Sequence, residues 1–190
     1  MITKEELRTY ISMASIIFVL AVLAGYMTAI RFPSESAVIV AGFFKDLDFT
    51  QGFDPLSIFI FIFLNNAIKS FLIIILGFFF AVIPVLFIYT NGELIGLITG
   101  VFQEENGLWR IVLTILPHGI FEVPAMILAT GYGIWLGRCF YRKLRYGENF
   151  GEKFAYAMKK FLKVILPLIL VAALVESFIT PIIVRYIFSR

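Results

Sequence analysis

The feature that most limits what this chain can fold into is the length of its uncharged stretches. Tyr10 to Ile30 is 21 residues without an Asp, Glu, Lys or Arg. As helix it would reach about 31 Å, the thickness of a bilayer's hydrocarbon core. Leu56 to Phe102 carries two charges, Lys69 and Glu93, over a run that would reach about 70 Å as helix. A soluble domain breaks its apolar residues into periodic stripes, one face of a helix or alternate positions of a strand. These blocks are apolar all round, so lipid rather than water is the solvent they fold against. Composition agrees: 61% of residues are hydrophobic and 15% charged, against roughly 25% charged in soluble domains.

The architecture expected is all-α: a polytopic transmembrane helical bundle, one integral membrane unit over residues 1–190. About five spans fall near 10–30, 57–78, 80–103, 109–137 and 160–187, with kinked or broken helices. The first span follows Lys4, Glu5, Glu6 and Arg8 with no small-residue cleavage site and is expected to stay attached. Residues 31–55 read as a polar loop whose Ala37 to Phe44 stretch is either a short helix on the membrane surface or a plain loop packed on the bundle. Gly77, Pro84, Asn91-Gly92 and Asn65-Asn66 each offer a turn or break between the second and third spans. Pro117 and Pro124 predict a kinked or broken fourth span, and Pro167 and Pro181 interrupt the last.

Residues 138–160 read as a basic loop. Arg138, Arg142, Lys143, Arg145, Lys153, Lys159, Lys160 and Lys163 crowd there and just beyond it, opposed by Glu148 and Glu152. Basic loops stay on the cytoplasmic side, which places Cys139 at that face. With three crossings back to the acidic 31–55 loop, the amino terminus is then cytoplasmic and the carboxyl terminus outside. The net charge of +3 is a matter of orientation, and no nucleic-acid partner is implied. The single cysteine, Cys139, offers neither a disulfide nor a zinc motif.

Ionisable groups deep in a span are costly and need partners. His118, Glu122, Glu176 and Lys69 form the candidate polar cluster, with Asn65, Asn66 and Asn91. His118 and Glu122 are four apart and share a helix face. Pro117 would start that helix anew, leaving His118 near an amino-terminal end. The pair reads either as a kink pinned by its own hydrogen bond or as part of an ion or proton route. Lys69 either pairs with a carboxylate or snorkels. His118, Glu122 and Glu176 are also the weak candidates for a metal, since imidazole and two carboxylates can hold zinc with one position open. The chain nevertheless has one histidine and no HExxH. Pro117, Gly119, Pro124 and Pro181 mark breaks or close packing. Gly92, Gly96 and Gly100 recur every four residues, a pattern that serves dimerisation or packing within one chain. No phosphate loop or nucleophile elbow is present, and no cofactor is expected.

These motifs carry a resemblance. Asn65-Asn66, Asn91-Gly92 with Gly96, PHGIFEVPAMILATGYGIWLG from Pro117 to Gly137, and VESFITP ending at Pro181 are similar in identity and order to the stage II sporulation protein M family of bacterial and archaeal membrane proteins. In endospore-forming bacteria such proteins act in engulfment, alongside wall-degrading partners, and relatives occur in organisms that never sporulate. The resemblance implies a membrane protein working in an assembly, and it carries no catalytic residue over. The function expected is a non-enzymatic membrane component in remodelling or assembly, its partners being the bilayer, other membrane proteins or further copies of itself. A small-solute or ion transporter using the buried His/Glu cluster is the alternative, and a metal-dependent intramembrane hydrolase the second.

Overall fold

A computed structural model describes residues 4–45, 52–78 and 81–188; the side chains of residues 4, 104–106, 108, 110–112, 114, 115, 118, 187 and 188 lie outside the description. The helices are α1 (Lys4–Arg31), α2 (Pro33–Lys45), α3 (Pro55–Leu76), α4 (Val82–Asn106), α5 (Leu108–Tyr146), α6 (Gly151–Lys160), α7 (Leu166–Leu174) and α8 (Thr180–Phe188). Two π-turns, Phe161–Ile165 and Val175–Ile179, join α6 to α7 and α7 to α8. No strand occurs among the described residues. Five stretches are long and apolar enough to cross a membrane: Glu5–Arg31, Pro55–Leu76, Val82–Gln103, Gly119–Tyr146 and Gly151–Tyr186. The chain is a multi-pass membrane protein.

Helix α5 is the axis of the bundle. Its apolar window is 56% buried, against 17–28% for the other four spans, and α1, α3, α4 and α7 all pack on it. The close approach depends on glycines. A Cβ on Gly131 would lie 2.7 Å from the Ile11 side chain of α1, and one on Gly133 would lie 2.6 Å from the Ile73 carbonyl oxygen of α3. Gly77 and Gly133 meet backbone to backbone, and a Cβ on Gly137 would fall on the Gly77 carbonyl oxygen. Trp135, Leu136, Ile74, Ile165 and Ile169 fill the centre.

Several sequence expectations change here. The turn between the second and third spans falls at Gly77, where the chain tucks under α5, and Ala81 enters α4 with a left-handed φ of 63°. Asn65-Asn66 and Asn91-Gly92 break nothing, because α3 and α4 run straight through them. Pro117 and Pro124 lie inside an unbroken α5, and Pro117 starts no new helix. One missing N–H per proline is tolerable where neighbouring helices surround the freed carbonyl. In the last span the accommodation is visible. Each π-turn lies just upstream of a proline, Pro167 or Pro181, so that the wider turn takes up the ring's clash with the carbonyl four residues earlier. The Thr180 hydroxyl donates to the Val175 carbonyl at 3.3 Å within the second.

The basic stretch 138–160 is helix rather than loop. Helix α5 continues to Tyr146, Gly147 closes it at φ 69° with its N–H on the Lys143 carbonyl, and α6 begins at Gly151. Arg142 ties this corner together, bridging Glu6 of α1 at 3.3 Å and Glu148 at 2.6 Å, while Lys153 reaches Glu148 at 2.6 Å. The Lys153 bond, and the Arg142 bond after it, hold the Glu148 carboxyl below the usual glutamate range. Solvent-facing ion pairs such as these contribute little stability. They do establish that the start of α1 and the α5–α6 turn share one end of the bundle. Phe78, Phe140 and Phe150 cover that end, with ring centroids 5.1 to 5.6 Å apart.

At the opposite end Asp54 caps α3, accepting from the Leu56 and Ser57 amides at 2.9 and 3.1 Å and from the Ser57 hydroxyl at 2.6 Å. The Ser57 hydroxyl is the main reason its carboxyl is held below the usual range. Within the 31–55 region, 33–45 is helix α2, packed on the bundle: Val40 is buried with Ala29 of α1 and Leu97 of α4, and the Phe44 ring meets Phe102 edge-on at 6.0 Å.

Candidate functional site

Helices α3, α4, α5 and α7 converge on a small polar cleft. Asn66, Lys69 and Ser70 of α3, Phe87 and Asn91 of α4, Glu122, Ala125 and Met126 of α5, and Ile169 of α7 line it. Asn66 stands about 15 Å from either end of α3 by helix rise, so the cleft lies near the middle of the spans. Its volume is about 20 Å³, room for roughly one water molecule. Asn91 spends an amide hydrogen on the Phe87 carbonyl at 2.7 Å, and the Asn65 amide donates to the Asn66 side-chain oxygen at 3.4 Å.

Four of the residues singled out from sequence therefore meet: Asn66, Lys69, Asn91 and Glu122. Asn65 touches the cleft only through Asn66. Glu176 does not line it; this residue is half-buried on the second π-turn, which packs against α3 and α5. The backbone of His118 lies one turn before Glu122 in α5, and its side chain is outside the description. Among the described residues no three His, Cys, Asp or Glu side chains gather as a metal site. Lys69 is exposed at the cleft's mouth and forms no ion pair among the described residues. Ser70, buried beside it, escaped the sequence reading. The signal was there, because Asn66, Lys69 and Ser70 follow i, i+3, i+4 spacing and make a polar stripe on an apolar helix.

A lysine and a glutamate facing one small cavity at this depth are expensive, since an ionised side chain near the bilayer centre costs roughly 2.5 to 3.5 kcal/mol on insertion scales. Carboxamides and a serine around them supply donors and acceptors that lipid lacks. Such a cleft can hold a water between opposite charges and pass a proton.

The packing glycines have a definite use. A Cβ on Gly92 would lie 2.8 Å from the Phe18 carbonyl oxygen; one on Gly96 would fall on the Val22 carbonyl oxygen and lie 2.7 Å from the Tyr26 nitrogen; one on Gly100 would fall on the Ala29 side chain. Gly25 of α1 meets the Glu93 carbonyl reciprocally. The stripe is thus occupied by α1 of the same chain and is not a free face for a second copy. Tyr26 fastens the seam by donating to the Gln103 side-chain oxygen at 2.6 Å.

Fold and cleft together define an all-helical multi-pass membrane protein, its spans seamed by glycine around a small polar cleft. Residues 14–181 match the family model of stage II sporulation protein M, and the chain belongs to that family. The matched region runs from within α1 to Pro181 and includes every cleft residue. No curated protein and no solved structure matches the chain.

Proposed function

We propose that this protein is a non-enzymatic component of the cell membrane that works in an assembly, with other membrane proteins or further copies of itself, and takes part in reshaping the bilayer. The observation that carries the reading is the outer surface. The spans lock together through glycine seams and turn large apolar side chains such as Ile16, Leu20, Leu64 and Leu86 outward, a surface suited to lipid and to other membrane helices. The polar mid-depth cleft favours one other reading, an ion or small-solute transporter, because transporters place their sites there. Purified protein in sealed vesicles tests the two. The expected result is proton and ion permeability equal to that of empty vesicles, with altered vesicle shape at high protein density. Saturable flux abolished by Glu122→Gln would establish the transporter instead. Metal in stoichiometric amount in the purified protein would favour the hydrolase.

The orientation belongs to the same proposal: amino terminus cytoplasmic, carboxyl terminus outside, on the basic charge of the α5–α6 corner. Cys139 is buried and makes a poor reporter for it. Tyr146, 70% exposed at the end of α5, is the better position. In a Cys139→Ala background, Tyr146→Cys is expected to react with an impermeant thiol reagent in inside-out vesicles and to be protected in right-side-out ones. The reverse pattern overturns the assignment.

A further inference from the structure

Helix α2 follows α1 after a single intervening residue, Phe32, whose N–H still bonds the Thr28 carbonyl, while the Ser36 N–H bonds the Phe32 carbonyl. The chain therefore bends without leaving the end of the span. One narrow face of α2, Ser36 and Val40, is buried against the bundle. Its partner Leu97 lies about 9 Å inside the Gln103 end of the third span by helix rise, so α2 packs beside the span rather than beyond its end. Phe44 leans on Phe102 of α4, whereas Val38 is 72% exposed and Ile39 55%, with Phe43 partly open beside them. The charges, Glu35 and Lys45, stand at the two ends.

The exposed stripe continues an existing lipid-facing surface. Met27 and Ile30 of α1 and Phe32 at the bend are exposed and apolar, and Met27 and Ile30 belong to a span. We infer that α2 is an in-plane helix sunk into one leaflet, with Val38, Ile39 and Phe43 among the acyl chains of the lipid, where it acts as a wedge. Such a helix adds cross-section to one leaflet only, and a helix inserted this way is sensitive to curvature. The wedge rests on the remodelling reading for its purpose, though not for its position. Because α2 is packed against α4 through Val40, the bundle holds it at a fixed depth.

The test uses the full chain in vesicles of phosphatidylethanolamine and phosphatidylglycerol, with an environment-sensitive dye on Ile39→Cys or Ser34→Cys in the Cys139→Ala background. Dye at position 39 is expected to be quenched by lipid labelled high on the acyl chain and protected from aqueous iodide; dye at position 34 is expected to be more open to iodide. On membrane tubes drawn from giant vesicles, the protein is expected to be enriched over the parent membrane. Val38→Asp with Ile39→Asp, both changes at exposed positions, should lose that enrichment while the protein still accumulates. Iodide quenching at position 39 equal to that at position 34 overturns the wedge, as does protection that appears only when another protein is added. Shallow lipid quenching without enrichment on tubes keeps α2 in the leaflet and removes the remodelling reading instead.

Discussion

Gly96→Leu is expected to leave no folded protein in the membrane. Helices α1 and α4 meet along Gly92, Gly96 and Gly100, and at Gly96 even a methyl group has no place: it would fall on the Val22 carbonyl oxygen and lie 2.7 Å from the Tyr26 nitrogen. Both obstacles are backbone, which no rotamer change can move. Alanine there must push the helices apart, at a cost near the upper end of the roughly 1 to 3 kcal/mol typical of overpacking. Leucine asks for several times the displacement. The damage would spread to the bond from Tyr26 to Gln103 and to Ala29 and Leu97, on which α2 rests. Gly42→Ala is the control. Nothing lies within 4 Å of its added Cβ, and removing a helical glycine from α2 should add stability by up to about 1 kcal/mol. Membrane accumulation and thermal unfolding of the detergent-purified protein measure both. A Gly96→Leu protein that melts like wild type would mean that the α1–α4 seam is looser than the backbone distances require.

Glu122→Gln is expected to assemble normally and to lose function. The change keeps shape and hydrogen-bonding capacity and removes the charge facing the cleft with Lys69. If the carboxylate served only to hold the fold, a small loss of stability would be all there is to see, because intramembrane hydrogen bonds average about 0.6 kcal/mol. An ionisable group at this depth, where the charged form costs several times more, is a functional suspect. Complementation in cells lacking their own copy reads function, and membrane abundance reads assembly. Met126→Ala, on the same cleft one turn along α5, is the packing control. Because Lys69 and Glu122 share one cavity, Lys69→Gln combined with Glu122→Gln should be no worse than Glu122→Gln alone. Full complementation by Glu122→Gln, or its failure to accumulate, would remove the functional reading of this glutamate.

The residues of the cleft illustrate what can be read along a chain and what cannot. Lys69, Asn66, Asn91 and Glu122 stand out because each is polar within an apolar run, and that is a property of sequence. Their meeting is not. Asn91 precedes Glu122 by 31 positions, and only the packing of α3 and α4 on α5 sets them about one cavity. Glu176 stood out equally, does not line the cleft, and sits on the second π-turn, which no periodicity announces. The glycine stripe was legible as a contact surface, whereas its occupant was not, because close packing needs only a small residue and does not name the partner.

The sequence by itself determined that the solvent is lipid, that the chain is helical and that five spans carry it. Apolar length alone decides whether a segment crosses a bilayer, and a backbone crossing one must satisfy its own hydrogen bonds. The tertiary structure decided the rest: the turn at Gly77, the continuity of α5 through two prolines, the placement of α2 and the membership of the cleft. Each of these depends on which neighbour covers a backbone group or fills a space, and that is settled only when distant parts of the chain pack together.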